Sequence, residues 1–172
     1  MLDLSNVIIS KNPEYKTYLR KAYSNAWSNS TDNSTKVWSV LICRDKIILG
    51  VNHFVKGFDY KNISEIPREL KYANILHAEQ DAIHKAAQYG IMTQDSTLYA
   101  PWFACSECMK AIINSGISKV VGHLQIMEKP HKLQDSINES LKTMNKAGLE
   151  LILYDGKIGK VKSMFSGEIW EP

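Results

Sequence analysis

Two short segments constrain this chain more than any other feature: His77-Ala78-Glu79 and Cys105-Ser106-Glu107-Cys108. Each falls where the pattern predicts the start of a helix, and one predicted strand lies between them. Cysteines spaced C-x-x-C at a helix start aim both sulfurs at one point, and the helix N-terminus favours their thiolate form. One imidazole and two thiolates make three ligands. A catalytic zinc site takes three and keeps a fourth position open. Alone, C-x-x-C also fits a redox pair, and H-x-E alone carries almost no information. Together they require a fold that brings two helix starts to one metal.

The rest of the chain reads as a frame for that convergence. Asn12-Pro13 is a helix start, a capping side chain followed by a first-turn proline, and the helix runs over residues 13–27. Strands follow at 37–43 and 46–52, joined by Arg44-Asp45 as a hairpin turn. Residues 53–71 read as a loop. A helix over 76–89 ends at Gly90, a strand covers 96–100, and a helix over 106–115 stops at Gly116. A strand at 118–123, a helix at 135–147 and a strand at 150–154 complete the pattern. Alternation of this kind predicts an α/β fold with helices on both faces of the sheet. Residues 1–11 and the tail after Gly156 have no assigned role.

Composition narrows the class. The 172 residues read as one domain, 44% hydrophobic and 23% charged, enough to bury a core. A net charge of +3 is far from the footprint of a dedicated nucleic-acid binder. Charged residues interrupt every apolar stretch, so no membrane span is expected. The first ten residues lack a signal-peptide pattern, and three cysteines form no disulfide framework. A reducing, cytoplasmic compartment is the expectation.

Glu79 adds chemistry to the metal ligands. A carboxylate beside an activated water can take its proton and deliver it to a leaving amine. On an ideal helix the offset from His77 would turn Glu79 away, whereas an irregular first turn lets both reach one pocket. H-x-E combined with a downstream C-x-x-C is the signature of zinc deaminases. A closed structural zinc site would need no proton shuttle and usually takes a fourth protein ligand.

At this point the chain resembles the deoxycytidylate deaminase branch of the cytidine deaminase superfamily. The resemblance rests on Ser34-Thr35-Lys36-Val37, His77-Ala78-Glu79-Gln80-Asp81-Ala82-Ile83, Thr97-Leu98-Tyr99, Phe103-Ala104-Cys105-Ser106-Glu107-Cys108, Ala111-Ile112-Ile113 and Ala147-Gly148. It implies a three-layer α/β/α sandwich with a five-stranded mixed sheet. It implies Zn2+ held by His77, Cys105 and Cys108, with Glu79 moving protons. The reaction would be hydrolysis of dCMP to dUMP and ammonia, supplying dUMP for thymidylate synthesis. It also implies homo-oligomers, hexamers among them, and dCTP and dTTP as effectors. Asn52 matches a nucleotide-contacting asparagine, and Ala78 joins the expected substrate contacts. Ala104 stands where the family usually has proline, Val55 where it often has proline, and Trp38 where it commonly has glycine.

Several residues keep two readings. Asn52 fits a substrate contact or a polar residue closing a strand. Lys56 fits a substrate phosphate or a solvated loop lysine, and Arg68 and Lys71 are further candidates of that kind. Trp102 resembles the pocket tryptophan of polynucleotide-editing deaminases or packs in the core. Cys43 reads as a buried small hydrophobe, and His84, His123 and His131 as structural or exposed. The competing functions are a polynucleotide or tRNA base deaminase, a free cytidine deaminase, and a non-enzymatic zinc or redox module.

Overall fold

The computed structural model describes residues 6–58, 65–127 and 134–172. His131 therefore lies outside the described residues. In chain order the first elements are β1 (Val7–Ser10), α1 (Pro13–Asn29), β2 (Trp38–Cys43), β3 (Lys46–Val51) and β4 (His53–Phe54). Next come α2 (Arg68–Asn74), β5 (Ile75–Leu76), α3 (Ala78–Gln88), β6 (Thr97–Tyr99) and α4 (Ser106–Asn114). The chain continues through β7 (Lys119–His123), α5 (Leu124–Met127), α6 (Gln134–Ala147) and β8 (Glu150–Tyr154). It ends with β9 (Ser163–Phe165) and β10 (Glu168–Trp170).

The expected hairpin forms: β2 and β3 pair antiparallel with Cys43 opposite Lys46, and Arg44 takes a φ of 54° in the turn. β6, β7 and β8 run parallel to one another, and β2 is antiparallel to β6. One strand goes beyond the five expected. β1 lies parallel beside β8, with Val7 opposite Leu151, and makes a six-stranded sheet ordered β1-β8-β7-β6-β2-β3. Its sequence, Val-Ile-Ile-Ser, lacks alternation because β1 is an edge strand whose Ile8 and Ile9 are about half exposed.

Alternating side chains build two cores. Leu41, Leu98, Val120, Leu151 and Leu153 pack with Ala82 of α3, Met109 and Ile112 of α4, and Leu141 and Met144 of α6. Their neighbours Val40, Tyr99, Val121, Ile152 and Tyr154 pack with Leu19, Ala22, Tyr23 and Ala26 of α1. Both faces of the sheet are thus covered, which explains why its central strands are mostly buried and largely apolar. Asn12 caps α1 as its sequence suggests, its Oδ1 accepting from the Glu14 amide at 3.0 Å.

The segment read as a loop carries structure of its own. β4 and β5 form a short antiparallel ladder, His53 opposite Leu76, and α2 lies between them in sequence. The tail after Gly156 folds into the β9–β10 hairpin. No helix among the described residues is long and apolar enough to cross a membrane.

Candidate active site

His77 does not belong to α3, as the expected span had it. It is the N-cap, with extended backbone (φ −78°, ψ 153°), and the helix begins at Ala78. Cys105 holds the same position before α4, with φ −66° and ψ 169°. An extended cap followed by a helical turn lets His77 and Glu79 face one space, and Cys105 and Cys108 likewise. His77 Nδ1 lies 3.3 Å from Cys108 Sγ and 3.5 Å from Cys105 Sγ. The three ligand atoms lie within 4.8 Å of one another. Nitrogen and sulfur on a tetrahedral zinc sit about 3.5 Å apart, so the spacing suits that ion and the donor set suits its chemistry.

Packing fixes both helix starts. At Gly50 of β3 a Cβ would lie 2.0 Å from the Ala78 carbonyl oxygen and 2.8 Å from the Ala82 amide, so only glycine permits β3 to approach α3 this closely. Ser39 donates its hydroxyl hydrogen to the Ala78 carbonyl at 2.8 Å. Buried Asp81 accepts from the Val51 amide at 2.9 Å and from Lys85 Nζ at 2.7 Å, tying α3 to the end of β3. At α4 the Ser106 amide donates to Ser136 Oγ at 3.0 Å, and Ser140 Oγ donates to the Ala104 carbonyl at 2.7 Å. Two α6 serines thus hold the turn in which Ala104 replaces the family's proline.

Glu79 is buried, with Oε2 3.7 Å from Cys108 Sγ, and loss of solvent pushes its carboxyl above the usual carboxylate range. The Cys105 thiol is drawn down to about 4, first by the hydrogen bond from Cys108. Cys108 is pushed up by its hydrogen bond to Cys105 and by burial. The hydrogen bond to Cys105 raises His77 to about 9. Without metal, then, the cluster holds a thiolate beside an imidazolium.

His77, Glu79 and Cys105 open onto a cavity of about 540 Å³. Asn52, Ala78 and Trp102 also line it. Asn52 is buried and strongly held: Oδ1 accepts from Ser30 Oγ at 2.6 Å and from the Val37 amide at 2.9 Å, while Nδ2 donates to the Thr35 carbonyl at 2.8 Å. It therefore closes the start of β2 as well as facing the cavity. Lys56 is exposed and is not among the lining residues; Arg68 and Lys71 of α2 are. Lys71 Nζ is bound to buried Asp32 at 2.8 Å and to Ser34 Oγ at 2.7 Å. The Arg68 guanidinium sits 5.3 Å from the Tyr72 ring centroid and makes no ion pair among the described residues.

Other lining residues had no distinguishing sequence signal, Asp32 and Phe165 among them. Asp32 falls in a short polar patch, residues 28–35, that reads as a loop, and Phe165 belongs to the unassigned tail. The other candidates lie elsewhere. Cys43 is buried at the end of β2, and His84 is exposed on α3. His123 is fully buried, its Nδ1 2.9 Å from Tyr23 Oη and its Nε2 3.0 Å from the Gly156 carbonyl oxygen.

A mixed sheet covered on both faces, with two helix starts converging on an imidazole, two thiolates and a buried carboxylate, defines a zinc-binding hydrolase of the deaminase class. The cytidine and deoxycytidylate deaminase zinc-binding region matches residues 12–124, and the chain belongs to that family. It is 31% identical over 128 residues to an uncharacterized deaminase of Aliivibrio fischeri, covering 73% of this chain and 82% of the relative. It is 24% identical to human deoxycytidylate deaminase over 155 residues, 87% of this chain and 83% of the human one. The fold is similar to that of dCMP deaminase from cyanophage S-TIM5, solved with dCMP and dUMP. The TM-score is 0.62 and the identity 22%, over 85% of this chain and 99% of the phage chain.

Proposed function

We propose that this protein hydrolyses dCMP to dUMP and ammonia. The observation that carries this reading is the buried Glu79 carboxylate beside the His77, Cys105 and Cys108 cluster, opening on a cavity that Arg68 and Lys71 also line. Its volume, about 540 Å³, suits a single nucleotide. The human and cyanophage relatives named for dCMP support the choice of substrate.

His77, Cys105 and Cys108 would hold zinc, which when bound supplies the Lewis acidity that makes water a nucleophile at neutral pH. Glu79 would take the proton of the water that attacks the amine-bearing carbon of cytosine. It would pass that proton to the ring nitrogen, then carry the remaining proton of the newly bonded hydroxyl to the amine, which departs as ammonia as the carbonyl forms. Burial suits Glu79 to this work, because a carboxyl raised toward neutral pH both accepts and returns a proton. Asn52 and Ala78 would meet the nucleotide beside the metal, and Trp102 would wall the base. Arg68 would take the phosphate, since Lys71 is already engaged by Asp32.

The test is ammonia release by the zinc-loaded protein from dCMP, CMP, deoxycytidine, dCTP and a cytosine-containing single strand. Preference for dCMP over deoxycytidine is expected. Reaction of the single strand alone would overturn the nucleotide reading in favour of a polynucleotide one.

A further inference from the structure

The C-terminal hairpin has no place in the chemistry described so far, yet it supplies part of the cavity wall. Phe165 and Ser166 line the cavity. The Phe165 ring stacks on Trp102, with centroids 4.2 Å apart and planes within 20°. Trp102 stands three residues before Cys105, so this stack stands next to the metal-ligating turn.

The hairpin is built to hold that ring still. Ser166 and Gly167 have φ values of 51° and 84°, both in the left-handed region, as a tight two-residue turn between β9 and β10 requires. Phe165 is the last residue of β9 and pairs with Glu168 across the turn. Three hydrogen bonds fasten the hairpin to the segment before β2. The Lys36 amide donates to the Met164 carbonyl at 3.0 Å, the Gly167 amide to the Ser34 carbonyl at 2.8 Å, and the Ser166 amide to Thr35 Oγ1 at 3.2 Å. Asp32 and Asn52 anchor the same segment: Asp32 Oδ1 accepts from the Ser34 and Thr35 amides, and Asn52 accepts from Val37. At the far end of the hairpin, Trp170 meets Tyr23 edge-on at 6.3 Å.

We infer that Phe165 is a positioning residue for substrate binding: it fixes the plane of Trp102, making the C-terminal hairpin part of the nucleotide site. This rests on the proposed deamination of a cytosine nucleotide. An indole backed by a second ring presents one rigid apolar face to the substrate. With the backing ring removed, the indole can rotate, and binding loses its preorganisation. The hairpin is fastened to residues 34–36, whereas the reacting groups stand on α3 and α4, so loss should fall on KM and leave kcat in place.

The experiment compares wild type with Phe165→Ala, Phe165→Leu and Phe165→Tyr, each zinc-loaded. Steady-state kinetics on dCMP and calorimetric binding of dUMP are measured with zinc content and melting temperature. Phe165→Ala should raise KM and the dUMP Kd by about three- to tenfold, with kcat within about twofold. Phe165→Tyr should restore wild-type values, whereas Phe165→Leu, which fills space without stacking, should not. Unchanged KM and Kd in Phe165→Ala would overturn the inference, as would full rescue by leucine or a loss of kcat that tracks lost zinc. The wild-type rate tests the reaction itself, and the variant-to-wild-type ratio tests the role of Phe165. A wild type that neither turns over dCMP nor binds dUMP would sink both.

Discussion

Ser140 of α6 donates a 2.7 Å hydrogen bond to the carbonyl oxygen of Ala104, the residue immediately before Cys105. Ser140 is fully buried, and Ser136, one helical turn earlier, accepts from the Ser106 amide. Together they fix the turn that aims Cys105, where the family has a proline instead. Ser140→Ala should therefore weaken zinc affinity about tenfold, as loss of an outer-shell partner does. It should also lower stability by about 1–3 kcal/mol, because a buried carbonyl is left unmade. Competition with a chelator and thermal unfolding measure the two effects. Wild-type affinity in the variant would show that the turn holds itself.

Gly50 seats α3. Gly50→Ala would place a methyl group against the backbone of Ala78 and Ala82, neither of which can move without moving the helix start. A loss of about 1–3 kcal/mol is expected. Activity should fall further than stability, since Glu79 belongs to the same first turn. Chemical denaturation and turnover, measured together, check this. A fully active, fully stable variant would contradict the close approach.

These contacts show what could be read from the chain and what could not. The His77, Glu79, Cys105 and Cys108 cluster was legible because each half opens a helix and the spacing forces convergence. The β2–β3 hairpin and the strands β6, β7 and β8 were legible from apolar runs bounded by turn residues. β1 was not, because a four-residue edge strand with exposed isoleucines carries neither alternation nor length. Lys56 reads as a phosphate candidate within residues 53–71, a stretch with no pattern of its own, but what brings a cation to the cavity is the α2 helix. Phe165 depends on a pairing between distant parts of the chain, its hairpin against residues 34–36, which no local pattern encodes.

Metal binding should release a characteristic number of protons. In the metal-free protein at pH 7, Cys105 is a thiolate with its pKa drawn to about 4, Cys108 is a thiol, and His77, raised to about 9, is an imidazolium. Zinc takes two thiolates and a neutral imidazole, so His77 and Cys108 must each give up a proton. Two protons should leave per zinc across about pH 5.5–8, and affinity should drop about a hundredfold per unit of acidification. Calorimetry in buffers of different ionisation enthalpy counts them. Ordinary, uncoupled groups would instead release close to three at pH 5.5.

Arg68 lines the cavity without an ion pair among the described residues, whereas Lys71 is held by Asp32 and Ser34. Arg68→Gln should raise KM for dCMP by about ten- to a hundredfold, the worth of a charged hydrogen bond to phosphate. The same variant should leave deoxycytidine kinetics unchanged, because that substrate has no phosphate. Equal losses on both would move the phosphate contact elsewhere.

The most direct measurement is dUMP formation from dCMP by zinc-loaded wild type and by Glu79→Gln, with zinc counted in both. In the proposed mechanism buried Glu79, beside His77, Cys105 and Cys108, moves the protons of the reaction. Wild type should turn over, while the variant should keep one zinc per chain and lose turnover by a factor of about a hundred to ten thousand. A Glu79→Gln protein with its zinc in place and near-normal activity would contradict the proton-shuttle role at the centre of the mechanism.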